Sequence, residues 1–263
     1  MSEKIVRFIG CGAMGSALIK AVAKSSLEKK IIVSARHFEN AQKVSKKYKC
    51  LAVQKNTDEI QNADFVFLAM KPQQVETIAR EIKNALSEKS LIISMLAGVS
   101  LEKLETLFGA RCIRLMPNMG ALVGSGMTAL CRGKNVSDDE VLTVEKLLAR
   151  SGEIEEVNEH LMDCVTAVSG SSPAFVFLFI EALADSAVRF GLTRKQAYHF
   201  ASQTVFGSAR LALESGKLPS ELKDLICSPN GTTIEGVASL EKNGFRSAIF
   251  EAVKASFEKA RLL

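Results

Sequence analysis

Two short stretches of this chain carry residue types that do chemistry at fixed spacing. The first is Gly10, Cys11, Gly12, Ala13, Met14 and Gly15, set between an apolar run, Ile5 to Ile9, and an alanine-rich helical pattern. Strand, glycine turn and helix in that order form a dinucleotide cradle: Gly10 allows the tight turn, Gly12 lets the backbone approach a pyrophosphate, and Gly15 lets the helix lie close to the strand. The helix start then turns unpaired N–H groups and its positive dipole end toward the phosphates. A second apolar run, Ile31 to Ser34, follows at about 20 residues, the distance at which the ribose is read. An acidic residue there would grip the 2′-hydroxyl of NAD, but this chain has Ser34, Ala35, Arg36 and His37. A hydroxyl and a planar guanidinium suit a 2′-phosphate. The expected cofactor is NADPH, with NADH possible. A bare glycine turn also serves purely structural ends, and an arginine after a strand is also found as a solvated loop residue.

The second stretch is Cys227, Ser228, Pro229, Asn230, Gly231, Thr232 and Thr233, leading into a helix over Ile234 to Leu240. Asn-Gly can take the left-handed backbone that turns successive N–H groups inward, a nest for a carboxylate at a helix start. Thr233 would then meet an imine or amine nitrogen. The same residues read equally well as a plain capped helix. Between these stretches, Met162 to Pro173 contains no His or Lys. Oxidising an alcohol requires such a base, so a β-hydroxyacid dehydrogenase is disfavoured. A protonated C=N accepts hydride without a dedicated acid, and asks mainly for an anchor and for orientation.

The elements needed to position these groups follow from periodicity. Residues 1–157 alternate short apolar runs with amphipathic stretches, the pattern of a mostly parallel sheet covered by helices, hence an α/β Rossmann-type N-terminal domain. The expected strands are Ile5 to Ile9, Ile31 to Ser34, Phe65 to Ala69, Leu91 to Ser94, Cys112 to Met116 and Gly126 to Cys131. Asn84 to Lys89 and Gly133 to Asp139 read as surface turns, and Ser137-Asp138-Asp139-Glu140 as a helix start. From residue 158 to 263 strand signals stop and helical patterns continue to the end, giving an all-α C-terminal domain. The stretch Pro173 to Phe190 is apolar over too much of its circumference to face water. It should be buried inside that domain or against a partner subunit.

The 263 residues can bury a sizeable core, and 47% hydrophobic with 24% charged residues is ordinary for a globular protein. The net charge of +5 is mild; its densest cluster, Lys43, Lys46, Lys47 and Lys49, reads as a wet helix face rather than a nucleic-acid patch. Cysteines 11, 50, 112, 131, 164 and 227 have no CxxC pairing and no ligand spacing with His37, His160 and His199. They read as reduced cytoplasmic thiols filling small spaces, with no metal implied. Cys11, inside the phosphate turn, reads as a spacer, with oxidant sensitivity the alternative. The first strand begins within about five residues, so no signal peptide is expected, and no apolar run approaches the roughly 20 residues of a membrane span.

The chain resembles the 1-pyrroline-5-carboxylate reductases over nearly its whole length. Four stretches carry the likeness: the glycine turn; Ala69-Met70-Lys71-Pro72-Gln73; Val168 to Ala174 with Phe177 to Ala182; and Leu222 to Asp224 through Ser228 to Ile234. The resemblance implies an enzyme that reduces 1-pyrroline-5-carboxylate to L-proline with NAD(P)H, NADPH preferred. It implies that Gly10 to Gly15 hold the pyrophosphate, Ser34 and Arg36 the 2′-phosphate, and Asn56 with Ala69, Met70, Lys71 and Pro72 the adenosine and ribose side. Ala97 would meet the nicotinamide carboxamide through its backbone. Ser228 and the N–H groups of Gly231, Thr232 and Thr233 would hold the substrate, with the Thr233 hydroxyl toward the ring nitrogen as the catalytic group. It also implies a homodimer of interlocked helical domains, or a ring of such dimers, with active sites near the subunit interface. The sequence departs from the family at Met119-Gly120, usually Thr-Pro, at Ser172 and Asn230, usually glycine, and at Phe175, usually tyrosine. A reductase of a related cyclic imino acid and a catalytically weak NADP-binding regulator remain alternatives.

Overall fold

The computed structural model describes residues 3–262. It divides into two compact units, one running to Gly170 and rejoined by the chain from Ser256 on, the other from Ser171 to Ala255.

The first unit is built on an eight-stranded sheet in the order β3-β2-β1-β4-β5-β6-β7-β8. Its strands are β1 (Lys4–Ile9), β2 (Lys29–Ser34), β3 (Leu51–Ala52), β4 (Phe65–Leu68), β5 (Leu91–Ser94), β6 (Arg111–Pro117), β7 (Gly126–Arg132) and β8 (Gly152–Glu156). From β3 to β6 all pairings are parallel; β7 turns back antiparallel to β6, and β8 pairs parallel to β7. The six expected strands are therefore present, and two more stand at the edges. The two residues of β3 are too few to show periodicity, and β8, Gly-Glu-Ile-Glu-Glu, has one apolar residue. Short or charged edges of this kind protect a sheet from pairing with another chain.

The strands of the centre are apolar on both faces because helices cover both. Val6, Phe8, Phe67, Ile93 and Leu115 point to one face with α1 (Ala13–Lys24), α2 (Phe38–Tyr48) and α5 (Asp138–Leu148). Phe8 and Phe67 stack there at a centroid distance of 4.5 Å. Ile9, Val66, Leu68, Ile92 and Met116 point to the other, with α3 (Val75–Ile82) and α4 (Leu101–Phe108). Helix α5 begins where the sequence signal places it: Ser137 and Glu140 form a reciprocal capping box. Lys43, Lys46 and Lys47 lie on the exposed side of α2, with Lys49 just past its end. Arg114 of β6 is buried and pairs with Glu159 at 2.6 Å; the same carboxylate accepts the Leu101 N–H at 2.7 Å, which ties the chain leaving β8 to the start of α4.

Beyond β8 the chain is helical: α6 (Met162–Val165), a π-helical turn over Thr166–Ser171, α7 (Ser172–Arg189), α8 (Arg194–Ser215), α9 (Pro219–Ile226), α10 (Thr232–Lys242) and α11 (Phe245–Ala260). In α7 only Ala184 is buried, while Phe177 and Leu178 are each 65% exposed. Burial within its own chain, one of the two expected fates of this helix, does not occur. The small core between α7 and α8 consists of Ala184, Ala197 and Ala201 with Ile180, Ala187 and Val188 around it. The continuous helical stretch Glu159–Arg189 has a window of mean hydropathy 1.6 and is long and apolar enough to cross a bilayer by length and composition. The expectation that no apolar run approaches that length is corrected: short polar residues interrupt the run without lowering its mean below that of a span. All six cysteines are free; Cys112 and Cys131 are buried as expected, whereas Cys164 is exposed and fills no interior space.

Candidate functional site

The C-terminal ends of β1, β2 and β4 enclose a cleft of about 660 Å³. It lies where the sheet order reverses, between β1 and β4, the place at which open α/β sheets bind nucleotides. Gly10 has φ +98°, and a Cβ on it would come within 2.5 Å of the Ala69 carbonyl oxygen, so glycine is required by both backbone and space. Its N–H donates to Ser34 O at 2.9 Å, and the Ala69 N–H donates to Ile9 O at 2.8 Å, which locks the three strand ends together. At Gly15 a Cβ would press on Ala69 and on Gly10, as expected of close helix-strand packing.

Gly12 differs from both. Nothing lies within 4 Å of where its Cβ would stand, and it caps α1 without any side-chain hydrogen bond. The first turn of α1 carries no acid. Open space over bare N–H groups at a positive dipole end is the chemistry a pyrophosphate needs, so these residues fit a dinucleotide. Burial raises the pKa of Cys11, between the two glycines, above that of an ordinary thiol, which suits a spacer better than a reactive group.

The cleft brings together Gly10, Cys11, Gly12, Ala13, Met14, Gly15, Arg36, Asn56, Ala69, Met70 and Lys71. Ser34 lies beneath it: the side chain is 0% exposed, and its hydroxyl donates to Asn56 Oδ1 at 2.7 Å. Pro72 opens the turn that leads into α3, and Ala97 stands in the connection from β5 to α4; neither lines this cleft. His37, Asn40, Gln74 and Ile78 line it and were not singled out from sequence. His37 and Asn40 stand at the start of α2, directly after Arg36, so a helix beginning at the end of β2 was the available signal.

The loop of the helical unit has the backbone that Asn-Gly foreshadows. Asn230 is left-handed with φ 56°, and Gly231 is the extended N-cap of α10 with no side-chain cap. A Cβ on Gly231 would collide with Ser228 Oγ. Helix α10 therefore starts at Thr232 and Thr233 with its first N–H groups unclaimed by a cap. Thr233 is half-buried, while Ser228 and Thr232 are exposed. Met119-Gly120 opens a short 3-10 helix fixed by Asn118, whose Oδ1 accepts from Gly120 N at 3.1 Å and Met127 N at 3.2 Å. Asn118 Nδ2 donates to Ser169 Oγ at 3.2 Å. Among the described residues no group of three or more His, Cys, Asp or Glu is placed to hold a metal.

Comparison with known proteins places relatives along the whole chain. A family model described as pyrroline-5-carboxylate reductase dimerisation matches residues 159–263, and one described as NADP oxidoreductase, coenzyme F420-dependent, matches residues 5–98. The pyrroline-5-carboxylate reductase of Escherichia coli is 41% identical, over 99% of this chain and 98% of its own length. That of Synechocystis is 41% identical, over 97% and 96%. Among solved structures, Plasmodium falciparum pyrroline carboxylate reductase with NADP bound superposes with a TM-score of 0.88 at 32% identity, covering 100% of this chain and 98% of that one. The reductase of Coxiella burnetii gives a TM-score of 0.92 at 32% identity, covering 99% and 98%. Prephenate dehydrogenase of Aquifex aeolicus, at 18% identity and a TM-score of 0.56, shares the fold alone.

Proposed function

Because this chain belongs to the pyrroline-5-carboxylate reductase family, we infer that it moves a hydride from NADPH to the C=N carbon of 1-pyrroline-5-carboxylate, giving L-proline. It is an NAD(P)H-dependent oxidoreductase of proline biosynthesis. The observation that carries the reading is likeness over the full length of both chains, glycine turn and α10 loop included. When bound, the reduced nicotinamide supplies the hydride.

The chain's own residues bind and orient. The uncapped start of α1 and Gly10 to Gly15 hold the pyrophosphate, with Asn56, Ala69, Met70, Lys71 and Pro72 on the adenosine and ribose side and Ala97 at the carboxamide. Arg36 faces the 2′-phosphate and favours NADPH over NADH; the buried Ser34 acts through Asn56, since its proton is already engaged there. Ser228 and the N–H groups of Thr232 and Thr233, at the uncapped start of α10, hold the substrate carboxylate; the Gly231 N–H, expected to join them, instead donates to Ser228 O at 3.1 Å and closes the turn. The Thr233 hydroxyl meets the ring nitrogen, which carries its proton into the product while the carbon gains hydride. Holding both reactants in one orientation supplies most of the acceleration such a reaction needs.

We assign the dinucleotide-binding domain to residues 1–157 and the substrate-binding and dimerisation domain to 158–263, supported by the dimerisation match beginning at residue 159, whereas the compact units part later, after Gly170, with the chain from Ser256 on returning to the first. The family's dimerisation region supports a homo-oligomer, and a homodimer, alone or in a ring of dimers, is the assembly we assign. Six unbridged cysteines suit a reducing compartment, and the cytoplasm is the proposed location.

The test is NADPH consumption by purified protein given 1-pyrroline-5-carboxylate, repeated with NADH and with the six-membered cyclic imine. Rapid oxidation, with a higher kcat/KM for NADPH and for the five-membered ring, is expected; one methylene is worth about 1–3 kcal/mol of discrimination. Tight NADPH binding without turnover of either imine would overturn the assignment.

A further inference from the structure

A buried cation of the sheet lies beneath the cofactor cleft without lining it. Arg7 stands in the middle of β1, paired in register with Ile32 and Val66, and its side chain is 0% exposed. Burying a guanidinium is costly unless its donors are spent, and here the two terminal nitrogens spend theirs on backbone. Nη1 donates to Phe8 O at 2.9 Å, and Nη2 to Lys55 O at 3.1 Å and to Asn56 O at 3.4 Å, while Nε is buried without a partner. Burial holds its pKa down at about 10, with Asp58 and Glu81 close enough to oppose the shift.

The segment it grips enters the cofactor cleft. Asn56 lines that cleft together with Arg36. Its side chain is held at both ends, by Ser34 Oγ at 2.7 Å and by Glu81 Oε2 at 2.8 Å. Ser34 precedes Arg36 by two residues at the end of β2, so Arg7, Asn56, Ser34 and Glu81 form one connected support under the end of the cleft where the phosphate-reading arginine stands. Without Arg7 the carbonyls of Lys55 and Asn56 would lose their common donor, and the carboxylate of Glu81 would keep its place there with less positive charge beneath it.

We propose that Arg7 is a positioning residue for cofactor choice: its buried fork fixes Asn56 beside Arg36, and its charge offsets Glu81, so that this end of the cleft favours a 2′-phosphate over a 2′-hydroxyl. The proposal rests on the NADPH reading above, and the two can fail separately.

The experiment is equilibrium titration of the full-length protein with NADPH and with NADH, followed by nicotinamide fluorescence, for the wild type and for Arg7→Met, Arg36→Ala, Asn56→Ala and the Arg7→Met/Asn56→Ala double variant. Arg7→Met should weaken NADPH at least tenfold and NADH less than threefold, and the double variant should lose less than the two single losses combined, since Arg7 acts in part by holding the backbone that carries the Asn56 side chain. An unchanged NADPH:NADH affinity ratio in folded Arg7→Met, or fully additive losses, would overturn the proposal. If Arg7→Met does not fold, Arg7→Lys, which keeps the charge and loses the fork, decides by the same ratio, a severalfold fall being expected. A wild type that binds both cofactors equally, or an Arg36→Ala ratio equal to wild type, would instead refute the NADPH reading itself.

Discussion

Cys11 stands half-buried in the turn over which phosphates would pass, and its surroundings quiet it. Burial raises its pKa, and only the thiolate is reactive. A raised pKa leaves less thiolate at neutral pH, so alkylation by iodoacetamide should follow a pH midpoint above that of free cysteine run in parallel, read by mass spectrometry of the Cys11 peptide. A midpoint below free cysteine would mark Cys11 as a redox sensor instead. Thr233 is the opposite case, an ordinary residue made important by where α10 starts. Thr233→Ala should lower kcat about 10- to 100-fold, the worth of one hydrogen bond to a charged group, and leave the Kd for NADPH within about twofold, a margin far below 1.4 kcal/mol. An equal loss of cofactor affinity would remove Thr233 from the imine. At this scale the sequence was legible where a residue type has a local reason to be there, as in the three glycines or Asn230. It was illegible where the partner is distant in sequence: Ser34 sits 22 residues from the Asn56 it serves, and Arg7 in an apolar run looks like one polar interruption of a strand.

The turn joining β1 to α1 separates two jobs that a glycine motif merges. Gly10→Ala would place a methyl against the Ala69 carbonyl in a left-handed backbone, a strain of about 1–3 kcal/mol before the collision is counted. It should lower the melting temperature of the apoprotein. Gly12→Ala meets nothing within 4 Å and has an ordinary negative φ, so thermal stability should stay within about 1 kcal/mol of wild type, close to the cost of exchanging a helix cap. NADPH affinity should nonetheless fall tenfold or more, because the methyl takes the space over the N–H groups. Calorimetry and titration on the two variants check the contrast, and similar melting losses in both would show that Gly12 is structural too. Elements were readable on the same terms. Central strands announce themselves by unbroken apolar runs, and α5 by Ser137 and Glu140. The edges β3 and β8 do not, because protection against stray pairing removes the apolar pattern by which a strand is recognised.

The helical unit as a whole is under-covered. Its internal core is three alanines with a few partners, whereas Phe177, Leu178, Phe200, Phe206 and Phe250 are exposed on the single chain. Burying each such side chain is worth about 1.5–3 kcal/mol, so a surface of this kind persists only when something covers it. Two coverings are chemically available, a second copy and a bilayer, since the stretch Glu159–Arg189 is apolar enough for either. The two make different demands. A spanning helix must be apolar all round, but this one contains Glu181 and Asp185, and Asp185 pairs with Arg194 of α8, so one side is already committed to polar protein contacts. A partner needs apolar stripes on several helices, and α7, α8 and α11 each offer one. Light scattering on the purified protein at micromolar concentration should therefore give a dimer or a multiple of it without detergent. Leu178→Lys should shift it toward monomer with a large loss of turnover, while Lys146→Ala, on α5 of the sheet unit, should change neither. A detergent-free monomer that sediments with vesicles would reverse the argument and make the bilayer the covering.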